Sequence, residues 1–122
     1  MEQNNIGELH ISQEVIATIT AQAAGQVEGV FGLAKSITSN IKDLIGIKSN
    51  GKGVSVEFDE QRVTVSLNLV VKYGYKIQEV ALNVQNEVMK SIADMTGYSV
   101  LAVNVNVVNV DIPKAETVEE TK

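Results

Sequence analysis

A chain of 122 residues that is 44% hydrophobic can bury one real core, and is too short for two ordinary domains. It has no Cys, one His and a formal net charge of −5, which excludes disulfides, thiolate chemistry and cysteine-based zinc sites and argues against a partner rich in phosphate. Trp is absent and aromatics are 4% of the chain, so the core must be built from Val, Ile, Leu and Ala.

The first five residues, Met1 to Asn5, have neither the basic region nor the apolar run of a secretory signal and are expected to be disordered. No apolar stretch approaches the roughly 20 residues needed to cross a bilayer, so a soluble, cytoplasmic protein is expected. Gly7 to Ile11 reads as a short strand. Ser12 then fits an N-cap, Glu14 suits the first turn, and Ile11 and Ile16 stand at the staple positions, so a helix begins at Gln13. Val15, Ile16, Ile19, Ala23 and Val27 make its expected buried stripe. Gly25, Gly29 and Gly32 end it, with Val30 and Phe31 tucked against the core at a glycine-permitted turn.

Residues 33–53 form a basic, flexible insert: Lys35, Lys42, Lys48 and Lys52 oppose Asp43 alone, a local +3 that leaves −8 for the rest of a chain at −5. Ile37, Ile41 and Leu44 follow helical spacing beside Lys35 and Lys42. The insert is therefore a candidate for weak membrane or partner contact, although a loop helix packed on its own core accounts for the same pattern.

From Val54 the pattern alternates: Val54, Val56 and Phe58 face one way, Ser55 and Glu57 the other. After a turn at Asp59 to Gln61, Val63, Val65, Leu67, Leu69 and Val71 alternate with mostly polar neighbours, giving the second arm of an antiparallel hairpin. From about Lys76 to Thr96, Ile77, Val80, Ala81, Val84, Val88, Ile92 and Met95 describe a helical stripe ended by Gly97. In the last strand Val103, Val105 and Val107 alternate with Asn104 and Asn106 before the apolar parity moves to Val108, Val110 and Ile112, so a bulge is expected near Val107 and Val108. Residues 113–122 are a polar tail, expected to be disordered. The order β-α-β-β-α-β over residues 6–112 implies a single α+β domain, a two-layer sandwich with a mostly antiparallel sheet and both helices on one face.

Chemistry-bearing motifs are weak. Gly46 to Gly53 nears phosphate-loop spacing, but Gly53 stands where Ser or Thr would hold magnesium, and the run leads into a strand instead of opening a helix. Gly29-Val30-Phe31-Gly32 has the G-x-x-G form of a nucleic-acid clamp with apolar middle residues in an acidic chain. His10 lies two residues from Glu8 and reads as solvated, while Asp59 and Glu60 read as turn acids. No catalytic, cofactor or metal residues are assigned, and an enzyme is not expected. Leu82, Met89 and Ala93 stand out instead: they lie about 120 to 160° around the helix from Ile77, a second apolar stripe outside the core stripe and a candidate self-association or partner surface. The polar sheet face with Ser55, Thr64, Ser66, Asn68, Asn104 and Asn106 is a second candidate.

Gly7-Glu8-Leu9-His10-Ile11-Ser12 with Val15-Ile16, then Val27-Glu28-Gly29-Val30, Gly51-Lys52-Gly53-Val54, Tyr73-Gly74 with Ile77, Glu79-Val80-Ala81, Val84-Gln85, Val88, Thr96-Gly97 and Val103-Asn104-Val105 occur in an order and spacing that resembles the bacterial alkaline-shock, or envelope stress response, family. The resemblance covers about Ile6 to Ile112. It implies a small cytoplasmic protein of Gram-positive bacteria without known enzymatic activity, linked to envelope homeostasis and in some members to lipid metabolism. Such proteins self-associate and sit beneath the membrane through a membrane-anchored partner. The resemblance supplies no catalytic residues, and Tyr73, Gly74, Glu79, Gln85 and Gly97 are its structural signature. The expected function is a non-enzymatic scaffold that forms homo-oligomers. The alternatives are a regulatory binder of a lipid-metabolism enzyme or acyl ligand and, behind it, a single-stranded nucleic-acid module.

Overall fold

The computed structural model describes residues 6–34 and 53–113. The expected disordered N-terminus, the tail after Pro113 and the basic insert with Lys35, Ile37, Ile41, Lys42 and Leu44 lie outside the described residues.

The described elements are α1 (Gln13–Gly25), β1 (Val30–Leu33), β2 (Val54–Asp59), β3 (Arg62–Lys72), α2 (Ile77–Thr96) and β4 (Ser99–Asp111). The two-layer α+β architecture is as expected, but the order is α-β-β-β-α-β. Gly7 to Ile11 forms no strand: Leu9 is 71% exposed and Gly7 sits at φ 97°, so the pentamer finds no sheet to join. The extra strand falls after α1, where the glycine turn was expected. Val30 does reach the core, whereas Phe31 is 58% exposed, because the register with β3 shifts between Val30 and Gly32 and leaves Phe31 as the bulged residue.

β3 is the spine of the sheet. It pairs antiparallel with β1 and β2 along one side and parallel with β4 along the other. β1 meets its upper half, with Leu33 opposite Leu69, and β2 its lower half, with Val54 opposite Leu67. Asn68 is the junction: its N–H donates to the Gly53 carbonyl at 3.2 Å and its carbonyl accepts from the Ala34 N–H at 2.9 Å. The two short strands thus lie end to end, and the chain leaves and re-enters the sheet at one point. Gly53, at φ 78°, fits there because a Cβ would come within 2.1 Å of the Ala34 carbonyl oxygen.

Both helices cover one face. Ser12 caps α1, its hydroxyl accepting from the Val15 N–H at 3.2 Å, and Gly97 closes α2 at φ 80° with its N–H on the Ala93 carbonyl. Val80, Val84, Val88 and Ile92 of α2 are buried, each contributing about 2 kcal/mol by removal from water, against Val63, Val65, Leu67, Leu69 and Val71 of β3. The expected stripes were too wide. Val15, Ile77 and Met95 are 44%, 43% and 72% exposed, and all three stand in the first or last turn of their helices. Thr20 is fully buried instead, its hydroxyl donating to the Ile16 carbonyl at 2.8 Å and so needing no other partner.

In β4 the register shifts between Leu69 and Val70 of β3, leaving Val108 unpaired as the expected bulge. A second shift at Val63 and Thr64 leaves Leu101 unpaired. The opposite sheet face is polar as expected, with the Asn104 amide donating to Ser66 at 3.3 Å and that of Asn106 to Asn68 at 3.2 Å.

Candidate interaction surface

Two side-chain hydrogen bonds locate the helices over the sheet edges. The Gln13 amide of α1 donates to the Val56 carbonyl of β2 at 2.8 Å, and the Gln85 amide of α2 to the Val103 carbonyl of β4 at 3.0 Å. On a helix, Gln85 is flanked at i−3 by Leu82 and at i+4 by Met89. The α2 flank bearing the second apolar stripe is therefore the flank beside β4. Leu82 is 55% and Met89 43% exposed, and Ala93 continues the row in the open. Sequence spacing finds this stripe, but not the strand it lies beside.

That strand is β4, 13 residues long and paired among the described residues with β3 alone. The surface thus joins an apolar helix flank to the unpaired side of a valine-rich strand. Of the two surfaces considered from sequence, the polar sheet face lies on the other side of the sheet and is joined by its own cross-strand amide contacts.

The other flank of α2 faces the end of α1. A shallow open cleft of about 410 Å³ there is lined by Gln26, Val27, Glu28, Asn83, Asn86 and Glu87. It continues toward Tyr75, whose hydroxyl donates to Glu28 at 3.3 Å, and toward Glu79. Carboxylates and amides around an open cleft are the wrong lining for an acyl chain. A third cleft holds His10 and Glu8, hydrogen-bonded at 3.0 Å with both side chains about four-fifths exposed. Asp59 pairs with Arg62 at 2.8 Å across the hairpin turn and not with Glu60. Among the described residues no group of three or more His, Asp or Glu stands together to hold a metal ion, and no helix is long and apolar enough to cross a membrane. The G-x-x-G run opens β1 and, among the described residues, joins no second helix. Gly29 itself is buried at φ 97°, where a Cβ would lie 2.7 Å from Val80 Cγ2 and 2.9 Å from Tyr75 Cδ2, so its role is close packing.

Compared with known proteins, residues 1–112 match the model of the alkaline-shock protein family, described as having a cell envelope-related function. The protein YqhY of Bacillus subtilis (strain 168) is 29% identical over 119 residues, covering 97% of this chain and 88% of its own. Spy1535 of Streptococcus pyogenes serotype M6 is 35% identical over 108 residues, covering 88% and 81%. A stress response regulator gls24 homolog of Streptococcus pyogenes serotype M3 is 32% identical over 117 residues, covering 95% of this chain and 64% of that protein. Among solved structures, MamM-CTD H285A superposes with a TM-score of 0.49 at 13% identity, over 84% of this chain and 99% of that one.

Proposed function

Because the chain belongs to the alkaline-shock protein family, whose function is related to the cell envelope, we propose that it serves the envelope stress response as a non-enzymatic interaction module that works by self-association. The observation that carries this reading is the surface where Leu82 and Met89 flank Gln85 beside the singly paired strand β4. Exposed apolar groups in one row on an otherwise polar helix surface are what a protein contact uses. The clefts, by contrast, offer scattered and solvated acids. In this reading the protein acts in the cytoplasm and reaches the inner face of the membrane through a membrane-anchored partner, with lipid homeostasis served indirectly.

The test is light scattering on the purified protein across concentration, beside a variant carrying Leu82→Asp and Met89→Asp. Both positions are exposed, so the variant should keep its circular dichroism and its melting temperature within the small range of surface substitutions. The expected result is a discrete oligomer that shifts toward monomer in the variant. An unchanged oligomer mass in the variant would remove this flank from the interface, and a strictly monomeric parent would remove the self-association reading.

A further inference from the structure

Edge strands carry a row of unpaired N–H and C=O groups, and proteins usually guard them with charge, proline or short length. β4 is bulged at Leu101 and Val108, which blunts its two ends, but the stretch between the bulges has no guard: from Val100 to Val110 the strand contains no charged residue and no proline. Its free groups can be identified from the ladder. The Ser99 N–H donates to the Gln61 carbonyl and the Asp111 carbonyl accepts from the Tyr73 N–H, so both residues turn their backbone groups toward β3. Counting inward from these ends, with one residue absorbed at each of the two register shifts, Ala102, Asn104, Asn106 and Asn109 do the same. Val103, Val105 and Val107 then turn their N–H and C=O outward. The Gln85 amide on the Val103 carbonyl agrees with that phase.

The segment between the bulges is also symmetric about Val105: Asn104 mirrors Asn106, and Val103 mirrors Val107. Resting on the self-association reading above, we infer that the partner is a second copy of this chain, its β4 pairing antiparallel with this β4 about a two-fold axis through Val105. Three conditions meet in that register. The outward backbone groups of Val103, Val105 and Val107 face the same groups of the copy, which a shift of one residue would undo. Core-facing valines neighbour valines and outward asparagines neighbour asparagines, so both faces of the joined sheet remain continuous. No charge opposes its like. The two-fold stands perpendicular to the sheet, so the two α2 helices lie on the same face of the joined sheet, one on either side of the seam, with Leu82 and Met89 of each copy turned toward it. The Val103 carbonyl keeps a lone pair for the copy while Gln85 holds the other. The bulges at Leu101 and Val108 end the regular stretch on either side, which makes the contact short and the assembly closed.

The chain has no cysteine, so introduced ones report without background. In this register Asn104 of one copy faces Asn106 of the other as a non-hydrogen-bonded pair, with Cα atoms about 4.5 Å apart, inside disulfide range. Like residues sit on the diagonal, roughly 7 to 8 Å apart and at the limit of bridging. Full-length N104C and N106C proteins, oxidised mildly when mixed and when separate, should give a several-fold excess of covalent dimer in the mixture, of mixed composition by mass spectrometry. V105P removes an outward N–H and trades a partly buried valine for a proline while leaving the β3 ladder bonds in place, and should convert the oligomer to monomer with circular dichroism retained. An oligomer that shows no excess of mixed disulfide overturns the β4 pairing while leaving self-association standing. A parent that is monomeric at all concentrations overturns both. Should V105P fail to fold, the cysteine mixture decides alone.

Discussion

The two long sides of the sheet are built to opposite ends. One is made of β1 and β2, of four and six residues, broken at Asn68, bulged at Phe31, carrying Glu57 and Asp59, and capped where Gln13 takes the Val56 carbonyl. Because Gly53 and Asn68 form a bonded pair, alternation turns the Val56 carbonyl away from β3, so Gln13 closes a free position of that edge. The other side is β4, 13 residues in one piece and uncharged from Val100 to Val110. Broken, charged and capped edges refuse strand addition. The contrast is between one guarded edge, from which the basic insert springs, and one that among the described residues pairs with β3 alone.

The strongest way to break the comparison is at the junction of the guarded edge. Gly53→Ala places a methyl group 2.1 Å from the Ala34 carbonyl oxygen at a left-handed φ of 78°. Backbone strain of about 1 to 2 kcal/mol joins an overpacking cost of about 1 to 3, for a loss on the order of 3 kcal/mol. Chemical denaturation should show a lower midpoint at an unchanged slope. β4 lies on the far side of β3, so the folded fraction should still self-associate. A loss of oligomer in folded protein would show that the two edges are coupled.

A sharper and smaller test compares the two glutamines. Gln13→Ala uncaps the Val56 carbonyl and Gln85→Ala that of Val103, each costing about 1 kcal/mol of stability. Their effects on association should differ. Gln13→Ala should leave oligomer mass alone, since the β2 edge keeps Glu57 and Asp59, whereas Gln85→Ala should tighten the oligomer by freeing an edge acceptor. A Gln13→Ala protein with raised oligomer mass in light scattering would show that the cap alone guards that side.

Little of this contrast was legible in the chain. α2, the hairpin and the Val108 bulge could be read because Val80, Val84, Val88 and Ile92, or Val63 to Val71, repeat at a fixed period over many residues, and the period belongs to the element itself. β1 could not, since four residues containing a glycine and a bulge carry no period, and two glycines look like a turn. Gly7 to Ile11 showed the converse, an alternating pentamer with no strand beside it. Leu82 and Met89 were visible as a stripe, but which strand they flank depends on β4 running parallel to β3 at the edge, a fact of pairing and not of pattern. The valine and asparagine symmetry around Val105 was likewise in plain view, and acquires meaning only once its outward backbone groups are identified.

The smallest expected effect lies at the hairpin that begins the guarded edge. Glu60 is the non-glycine residue at positive φ among those described, at 64°, in a two-residue loop between the paired Asp59 and Arg62. The ion pair that spans it is about half exposed on both sides and contributes under about 1 kcal/mol. Replacing Glu60 by Gly relieves about 1 to 2 kcal/mol of left-handed strain and costs roughly 0.5 to 1 in unfolded-chain entropy, leaving a few tenths of net stabilisation. The melting temperature should rise by about 1 to 3 °C, with oligomer mass unchanged because the loop is remote from Val105. A fall in melting temperature would mean that the Glu60 side chain supports the turn, and that the guarded edge depends on its acids for structure as well as for repulsion.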